Sequence, residues 1–160
     1  MSRPADPLRR LETKVPPPLV ALAIAAGMWF AADVTPVVAL AGCVRVPAAG
    51  VLALVGVAFA LSGLLSFRQA RTTVNPLRPE RATQLVVAGV YRMTRNPMYL
   101  GMLLGLVALA VYLAAPLVLA GPVAFVGYMR RFQIEPEERA LGAKFGPAYA
   151  DYKRRVRRWL

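Results

Sequence analysis

Four long apolar stretches are the feature that most limits what this chain can fold into. They cover residues 17–34, 46–67, 97–115 and 116–129. A helix that crosses a bilayer needs about 20 mostly apolar residues, and about 17 suffice where the bilayer is thin. The first three stretches meet this length, and the fourth is marginal. The pattern predicts an all-α integral membrane bundle of about four transmembrane helices, in a single domain over residues 1–160.

The composition supports a membrane protein and argues against several other classes. Apolar residues make up 58% of the chain, whereas soluble domains average about 45–50%. The net charge of +12 would suit nucleic acid, but the basic residues lie between apolar stretches, so no nucleic-acid partner is expected. With no histidine and one cysteine, Cys43, no metal and no intramolecular disulfide are predicted.

The placement of Lys and Arg predicts the orientation of the bundle, because basic residues mark cytoplasmic loops. Of the 20 basic residues, four precede the first stretch, six lie between the second and third, and nine follow the fourth. Four spans with a cytoplasmic amino terminus leave only Arg45 outside. The preference for Arg over Lys suits a GC-rich bacterial genome. We therefore predict an integral protein of a bacterial cytoplasmic membrane with both termini in the cytoplasm.

Two polar clusters, residues 89–101 and 137–152, flank the last two apolar stretches. Only a short break around Pro116 separates these stretches, which predicts an antiparallel hairpin with both clusters at the same end. A purely structural interpretation is available for each cluster. The first would be an interfacial helix start with tyrosines at the membrane boundary. The second would be a solvated helix whose first-turn acids complement the helix dipole.

The sequence after the fourth stretch predicts a cytoplasmic amphipathic helix, since Leu141 and Phe145 are four residues apart. The basic run 152–160 would then be an interfacial anchor on anionic headgroups. Gly101 and Gly105 have the spacing that lets two membrane helices approach closely. We interpret this pair mainly as a packing feature.

The two clusters resemble the paired motifs of the isoprenylcysteine carboxyl methyltransferase and phospholipid methyltransferase superfamily of integral membrane enzymes. The first family motif, G-x-Y-x-x-x-R-H-P-x-Y-x-G, is matched at Gly89, Tyr91, Arg95, Pro97, Tyr99 and Gly101. The second, E-E-x-x-L-x-x-x-F-G-x-x-Y-x-x-Y, is matched at Glu137, Glu138, Leu141, Phe145, Gly146, Tyr149 and Tyr152. The resemblance covers residues 71–160. It implies methyl transfer from S-adenosylmethionine to a lipid or other hydrophobic acceptor at the membrane.

The resemblance also implies which residues form the site, within a cofactor region over residues 83–101 and 133–152. Ten residues would bind the cofactor: Thr83, Gln84, Leu85, Val86, Tyr91, Asn96, Pro97, Met98, Tyr99 and Glu137. Glu137 would take the ammonium group of S-adenosylmethionine. Arg131, Gln133 and Glu138 are predicted to contact the acceptor. No catalytic residue is assigned.

Two departures from the family pattern restrict the chemistry. The family histidine before the proline is Asn96 here, which can form hydrogen bonds but cannot titrate as a base. Where the isoprenylcysteine enzymes carry an arginine linked to the substrate carboxylate, this chain has Gln133. A sulfonium is already an activated methyl donor, so orientation and proximity can suffice without a base. The acceptor itself stays open.

Two other functions fit part of the sequence. Membrane reductases of sterols and steroids look similar around their carboxy-terminal helices and use NADPH. The Glu137-Glu138 pair, however, suits an ammonium group better than a 2′-phosphate. A non-catalytic membrane scaffold would explain the apolar stretches and the basic loops but not the paired motifs. The methyltransferase is the favoured interpretation.

Overall fold

The computed structural model describes residues 12–38, 41–70 and 84–160, and every regular element in these ranges is helical. The α-helices are α1 (Pro17–Asp33), α2 (Gly42–Gln69), α3 (Pro97–Leu113), α4 (Ala120–Met129) and α5 (Glu135–Arg155). Two short 3-10 helices cover Gly89–Arg92 and Pro116–Leu119, and a π-helical turn, Arg130–Ile134, joins α4 to α5. The predicted all-α fold is confirmed.

Within the described ranges, one helix is both long and apolar enough to cross a membrane. This is α2, with 28 residues. The apolar helices α1 and α3 have 17 residues each, and both begin at a proline, which is favoured in a first helical turn. The fourth predicted span, 116–129, is divided between a 3-10 helix and the ten residues of α4. The four-span arrangement therefore stays a prediction.

Glycines let α2 and α3 pack closely against each other. A Cβ atom on Gly101 would lie 2.5 Å from the backbone oxygen of Gly56 and 2.9 Å from the Cβ atom of Ala60. The predicted packing role is confirmed for Gly101. At Gly105, one turn further along α3, a Cβ atom would meet nothing within 4 Å. The first motif, residues 89–101, thus ends on a helix that packs directly against α2.

We expect Gly101→Ala to destabilise the fold and Gly105→Ala to leave it intact. A methyl group at Gly101 has no room, and overpacking of this kind costs about 1–3 kcal/mol. The same change at Gly105 meets open space and removes a flexible residue from a helix, which stabilises by about 0.5–1 kcal/mol. Thermal unfolding in detergent measures both changes. Equal melting temperatures for the two variants would contradict the close contact of α2 with α3.

The predicted hairpin of α3 and α4 is present. Helix α3 is followed by Ala114, whose φ of 52° is left-handed, and Pro116 starts the next turn. Chain reversal brings α4 back against α3 and α1. Phe125, Met129 and Ile134 are fully buried in the resulting core. This core fixes the π-helical turn next to the first motif.

The predicted helix after α4 is present as α5, and Leu141 and Phe145 pack on the same buried cluster, but the helix is kinked and the residues beyond it differ from the predicted interfacial anchor. Gly146, with φ 50° and ψ −122°, interrupts the helical geometry of α5, and Pro147 is the next residue. Beyond α5, Arg158 and Trp159 do not extend outward as an anchor. Arg158 pairs with Glu138, and Trp159 packs against the main core. Basic composition alone suggested a surface role, because the sequence does not show that a carboxylate partner lies within reach.

Candidate active site

Tyr91 connects the first motif to α2 and to α5. It lies in the 3-10 helix after Gly89, whose φ of 61° favours glycine at this turn. The Tyr91 ring packs edge-on against Phe67 of α2, with ring centroids 5.4 Å apart. The Tyr152 hydroxyl of α5 donates a hydrogen bond of 2.8 Å to the Tyr91 carbonyl oxygen. Tyr91 therefore joins the two motifs through its backbone and contacts α2 through its ring.

Tyrosines from the two motifs form one buried cluster with several of the predicted cofactor residues. Tyr91, Tyr149 and Tyr152 are buried together, and Leu85 and Val86 pack against them. Burial raises the pKa of Tyr91 above its ordinary range. Burial also raises the pKa of Tyr149 to about 12. Both phenols are therefore neutral near pH 7, and the cluster offers a mainly apolar wall.

Thr83 and Gln84 are the other two predicted cofactor residues of the 83–86 segment. Thr83 lies outside the described residues. Gln84 is described and starts the segment that leads into Leu85 and Val86. The tyrosine cluster thus contains the later half of the predicted 83–86 segment.

Glu138 is surrounded by cations. Arg158 donates to it from Nε and Nη2, at 3.0 and 2.8 Å. Arg95 Nη1 lies 2.9 Å from Glu138 Oε1, and Lys153 Nζ lies 3.6 Å from Oε2. Burial alone would raise the pKa of Glu138, but the hydrogen bonds from Arg158 and the charges of the three cations outweigh it and hold that pKa below its ordinary value. Glu138 is an ionised carboxylate with its partners in place.

Glu137, the adjacent residue, has the opposite environment. Its carboxyl accepts a hydrogen bond from the Tyr99 hydroxyl. None of the ion pairs found among the described residues includes it. Burial raises the pKa of Glu137 to about 8, with the charge of Glu138 adding to the rise and the hydrogen bond from Tyr99 opposing it. Within the described ranges, the second motif therefore holds one carboxylate with three cationic partners, Glu138, and one buried carboxyl with no cationic partner, Glu137.

The raised pKa of Glu137 predicts a specific pH dependence of stability without ligand. Because the folded pKa of about 8 exceeds the ordinary 4.5, folding favours the neutral carboxyl. Its stabilising contribution is complete below about pH 4.5 and is lost as the pH rises through about 8. The melting temperature of the wild type should fall across this window more steeply than that of Glu137→Gln. Identical slopes in detergent would show that Glu137 is not a neutral, buried acid.

Asn96 points its side chain at the segment that follows α5. Its Nδ2 donates a 2.8 Å hydrogen bond to the carbonyl oxygen of Arg158. Thr94 Oγ1 donates to the same oxygen at 3.2 Å, and the Arg95 backbone N–H donates to the Arg157 carbonyl at 3.0 Å. The Asn96 amide nitrogen is thus engaged by the protein. A cofactor contact of Asn96 stays a prediction.

Pro97 and Met98 lie on the α2 side of the first motif. A Cβ atom on Gly63 of α2 would come within 3.1 Å of Pro97 Cγ and 2.9 Å of Met98 Cγ. Tyr99, the next residue, faces the opposite way and reaches Glu137 on α5. Pro97 and Met98 thus lie against α2, whereas Tyr99 reaches α5, and a cofactor contact of these three residues stays a prediction.

The residues predicted to contact the acceptor each have a protein partner. Arg131 Nη1 donates to Glu12 Oε1 at 2.7 Å. Gln133 Nε2 donates to the Val15 carbonyl at 2.7 Å, while its buried Oε1 has no hydrogen-bond partner within the described structure. Gln133 also lies in the π-helical turn, and such turns are frequent at functional sites. Of these residues, Gln133 retains an unused polar atom.

An open groove of about 480 Å³ lies between α2 and the 3-10 helix of the first motif. Its apolar walls include Phe59, Leu65 and Met93, and its polar groups include Ser62 and Ser66. Leu65 belongs to the exposed apolar surface of α2. An amphiphilic molecule matches this combination of apolar wall and hydroxyl groups. Elsewhere in the described ranges, no group of three or more Cys, Asp or Glu side chains could hold a metal ion.

Some residues at the site were not assigned a role from the sequence. Tyr149 and Tyr152 match the second motif, but only the fold shows that they follow the kink at Gly146 and are buried together with Tyr91. Arg158 had no distinguishing signal, because it stands in a basic run. Only the fold shows that its carbonyl and its guanidinium contact different motifs.

An all-helical fold with a helix of membrane-spanning length, and a buried carboxyl where two sequence motifs meet, has the features of a membrane-associated enzyme. The sequence model of the phospholipid methyltransferase family matches residues 44–147. The chain belongs to the phospholipid methyltransferase family, a membrane-associated family of methyltransferases, and the resemblance noted in the sequence is confirmed.

One curated relative extends the comparison. An uncharacterized protein of Haemophilus influenzae is 44% identical over 63 residues, which are 39% of this chain and the whole length of that relative. No solved structure matches the chain. Family membership supports methyltransferase activity on membrane substrates.

Proposed function

We propose that the protein transfers a methyl group from S-adenosylmethionine to a lipid or other hydrophobic acceptor at the membrane. The observation that carries this proposal is the contrast between Glu137 and Glu138. A buried carboxylate is costly unless a cation or hydrogen bonds compensate it. Among the described residues, Glu138 has three cations as partners, whereas Glu137 has the Tyr99 hydroxyl alone. The ammonium group of S-adenosylmethionine is a cation of suitable size and chemistry for Glu137.

A second unsatisfied group supports a ligand that carries both signs of charge. The buried Nε of Arg95 makes no hydrogen bond within the described structure, and Arg95 belongs to the cluster around Glu138. That cluster holds three cations around one carboxylate. A ligand carboxylate near Arg95 would use this excess positive charge. The amino-acid end of S-adenosylmethionine has an ammonium and a carboxylate on one carbon.

The residues of this chain need only to bind and orient the two reactants and to keep water away from them. When bound, S-adenosylmethionine supplies a methyl group that is already activated on a sulfonium. Glu137 and Tyr99 would hold the amino end, and the apolar wall around Tyr91 would keep water away from the reacting groups. Orientation of two bound reactants can lower a barrier by about 7–11 kcal/mol. This contribution does not require a residue that titrates as a base at position 96, where this chain has an asparagine.

The acceptor is proposed to be an amphiphile that reaches the site from the bilayer. The groove beside α2 offers an apolar wall with hydroxyl groups. Gln133 does not line this groove, and its predicted acceptor contact rests on its buried Oε1, which has no hydrogen-bond partner within the described structure. The proposal includes the four predicted spans and places both termini in the cytoplasm of a bacterial cell.

Calorimetric titration of the detergent-solubilised protein tests the proposal. S-adenosylmethionine and its demethylated product S-adenosylhomocysteine should both bind, because both carry the amino-acid end. NADPH should not bind, because it has no ammonium group for Glu137. Binding of NADPH alone would overturn the proposal in favour of a reductase. Binding of none of the three would favour a scaffold.

A further inference from the structure

Arg158 contacts both motifs, although it lies outside the matched region 44–147. Its guanidinium donates two hydrogen bonds to Glu138 of the second motif. Its carbonyl oxygen accepts hydrogen bonds from Thr94 and Asn96 of the first motif. One residue beyond α5 therefore connects the two halves of the proposed site through two different groups.

We propose that Arg158 is a positioning residue that holds the first motif in its ligand-binding geometry. The inference rests on the proposed function, since the ligand in question is S-adenosylmethionine. The Arg158 side chain anchors the segment 156–160 on Glu138, and the Arg158 backbone carbonyl then fixes the Asn96 amide. Arg158 does not itself touch the ligand.

The anchor is well suited to this task because it is bidentate and shielded. Arg158 is the cation that donates to both carboxylate oxygens of Glu138, and a paired fork of this kind fixes direction as well as distance. The Lys153 ammonium, at 3.6 Å, is a single point charge and cannot fix the direction of the segment. The Glu138 side chain is only 11% exposed, so water screens the pair weakly.

Further contacts connect segment 156–160 to the proposed site. The Arg95 N–H donates to the Arg157 carbonyl at 3.0 Å. Trp159 packs against the core cluster that contains Tyr99. Tyr99 in turn donates a hydrogen bond to Glu137, so the core cluster links the segment to the pair proposed to receive the ammonium group. Release of the segment would loosen Arg95 and Asn96 while leaving Glu137 in place.

The first test compares Arg158→Ala with Arg158→Lys and with the matched control Arg154→Ala. Arg154 stands in the same basic run, but its side chain is 73% exposed and pairs with Asp151. Arg158→Ala should weaken S-adenosylmethionine binding by about twofold to thirtyfold, the usual range for residues that act through others. Arg158→Lys should recover part of the loss, and Arg154→Ala should bind like the wild type. Amide hydrogen exchange at Arg95 should become faster in Arg158→Ala alone.

The second test is a double-variant cycle with Asn96→Ala. If Arg158 acts by fixing Asn96, then Arg158→Ala should add little to the loss already caused by Asn96→Ala. Independent, multiplying losses would overturn the inference. So would an Arg158→Ala variant that melts earlier but binds S-adenosylmethionine as tightly as the wild type. Absence of binding by the wild type would instead overturn the proposed function, and the inference with it.

Discussion

Glu137→Gln is expected to weaken S-adenosylmethionine binding about tenfold to a hundredfold while the protein still folds. Hydrogen bonds to charged groups contribute about 1.5–3 kcal/mol, and glutamine removes the negative charge without changing the size of the side chain. The amide oxygen of glutamine can still accept the hydrogen bond from Tyr99. The unliganded protein should keep its melting temperature near pH 7, because the wild-type carboxyl is itself mostly neutral at a pKa of about 8.

Glu135→Gln is the matched control for this prediction. Glu135 starts the same helix, but it lies at the surface and pairs with the exposed Arg130 at 3.2 Å. Exposed pairs of this kind contribute little to stability. The control should therefore bind S-adenosylmethionine like the wild type. Calorimetry that finds equal affinity for Glu137→Gln and the wild type would leave Glu137 as a buried acid with no role in binding.

Much of the helical fold follows from local sequence. The apolar stretches predict α1, α2 and α3 because each is long and has proline or glycine near its start, and the break before Pro116 predicts the hairpin. The close approach at Gly101 also follows from local spacing. These features depend on neighbouring residues, so one sequence is sufficient to find them.

The functional difference between Glu137 and Glu138 could not be predicted in this way. The two residues are identical and adjacent, and their environments depend on partners far away in the chain. Arg158 lies 20 residues from Glu138, and Tyr99 lies 38 residues from Glu137. The motif resemblance indicated that Glu137 binds a ligand. The physical reason, a buried carboxyl with no cation beside it in the part of the chain that the structure describes, is visible only when the helices are packed.

The same limit explains the positions of Asn96 and Gln133. Asn96 was predicted to face a ligand because of its place in the first motif, and Gln133 because it stands four residues before Glu137 of the second motif. The fold uses the Asn96 amide nitrogen to hold the Arg158 carbonyl and the Gln133 amide nitrogen to hold the Val15 carbonyl. A polar residue in a motif can therefore serve the site by fixing a neighbouring segment. Gln133 can do both, since its Oε1 has no hydrogen-bond partner among the residues that the structure describes.

Tyr99→Phe is expected to raise the dissociation constant of S-adenosylmethionine about tenfold, since it removes a hydrogen bond to a group that must be charged in the complex. The Tyr99 hydroxyl donates to Glu137 and opposes the rise of its pKa. Without that hydroxyl, ionising Glu137 to receive an ammonium group costs more free energy. Phenylalanine keeps the buried ring, so packing of the core should change little.

Tyr112→Phe separates this role from anchoring at a membrane boundary. Tyr112 belongs to the same helix, is 45% exposed and lies under the guanidinium of Arg45. Loss of its hydroxyl should leave S-adenosylmethionine affinity unchanged, because no part of the proposed site contacts it. If Tyr99→Phe lowered the melting temperature and left affinity unchanged, Tyr99 would be a structural tyrosine. A selective loss of affinity in Tyr99→Phe would tie the first motif to the ionisation of Glu137, which a packing role for Tyr99 does not predict.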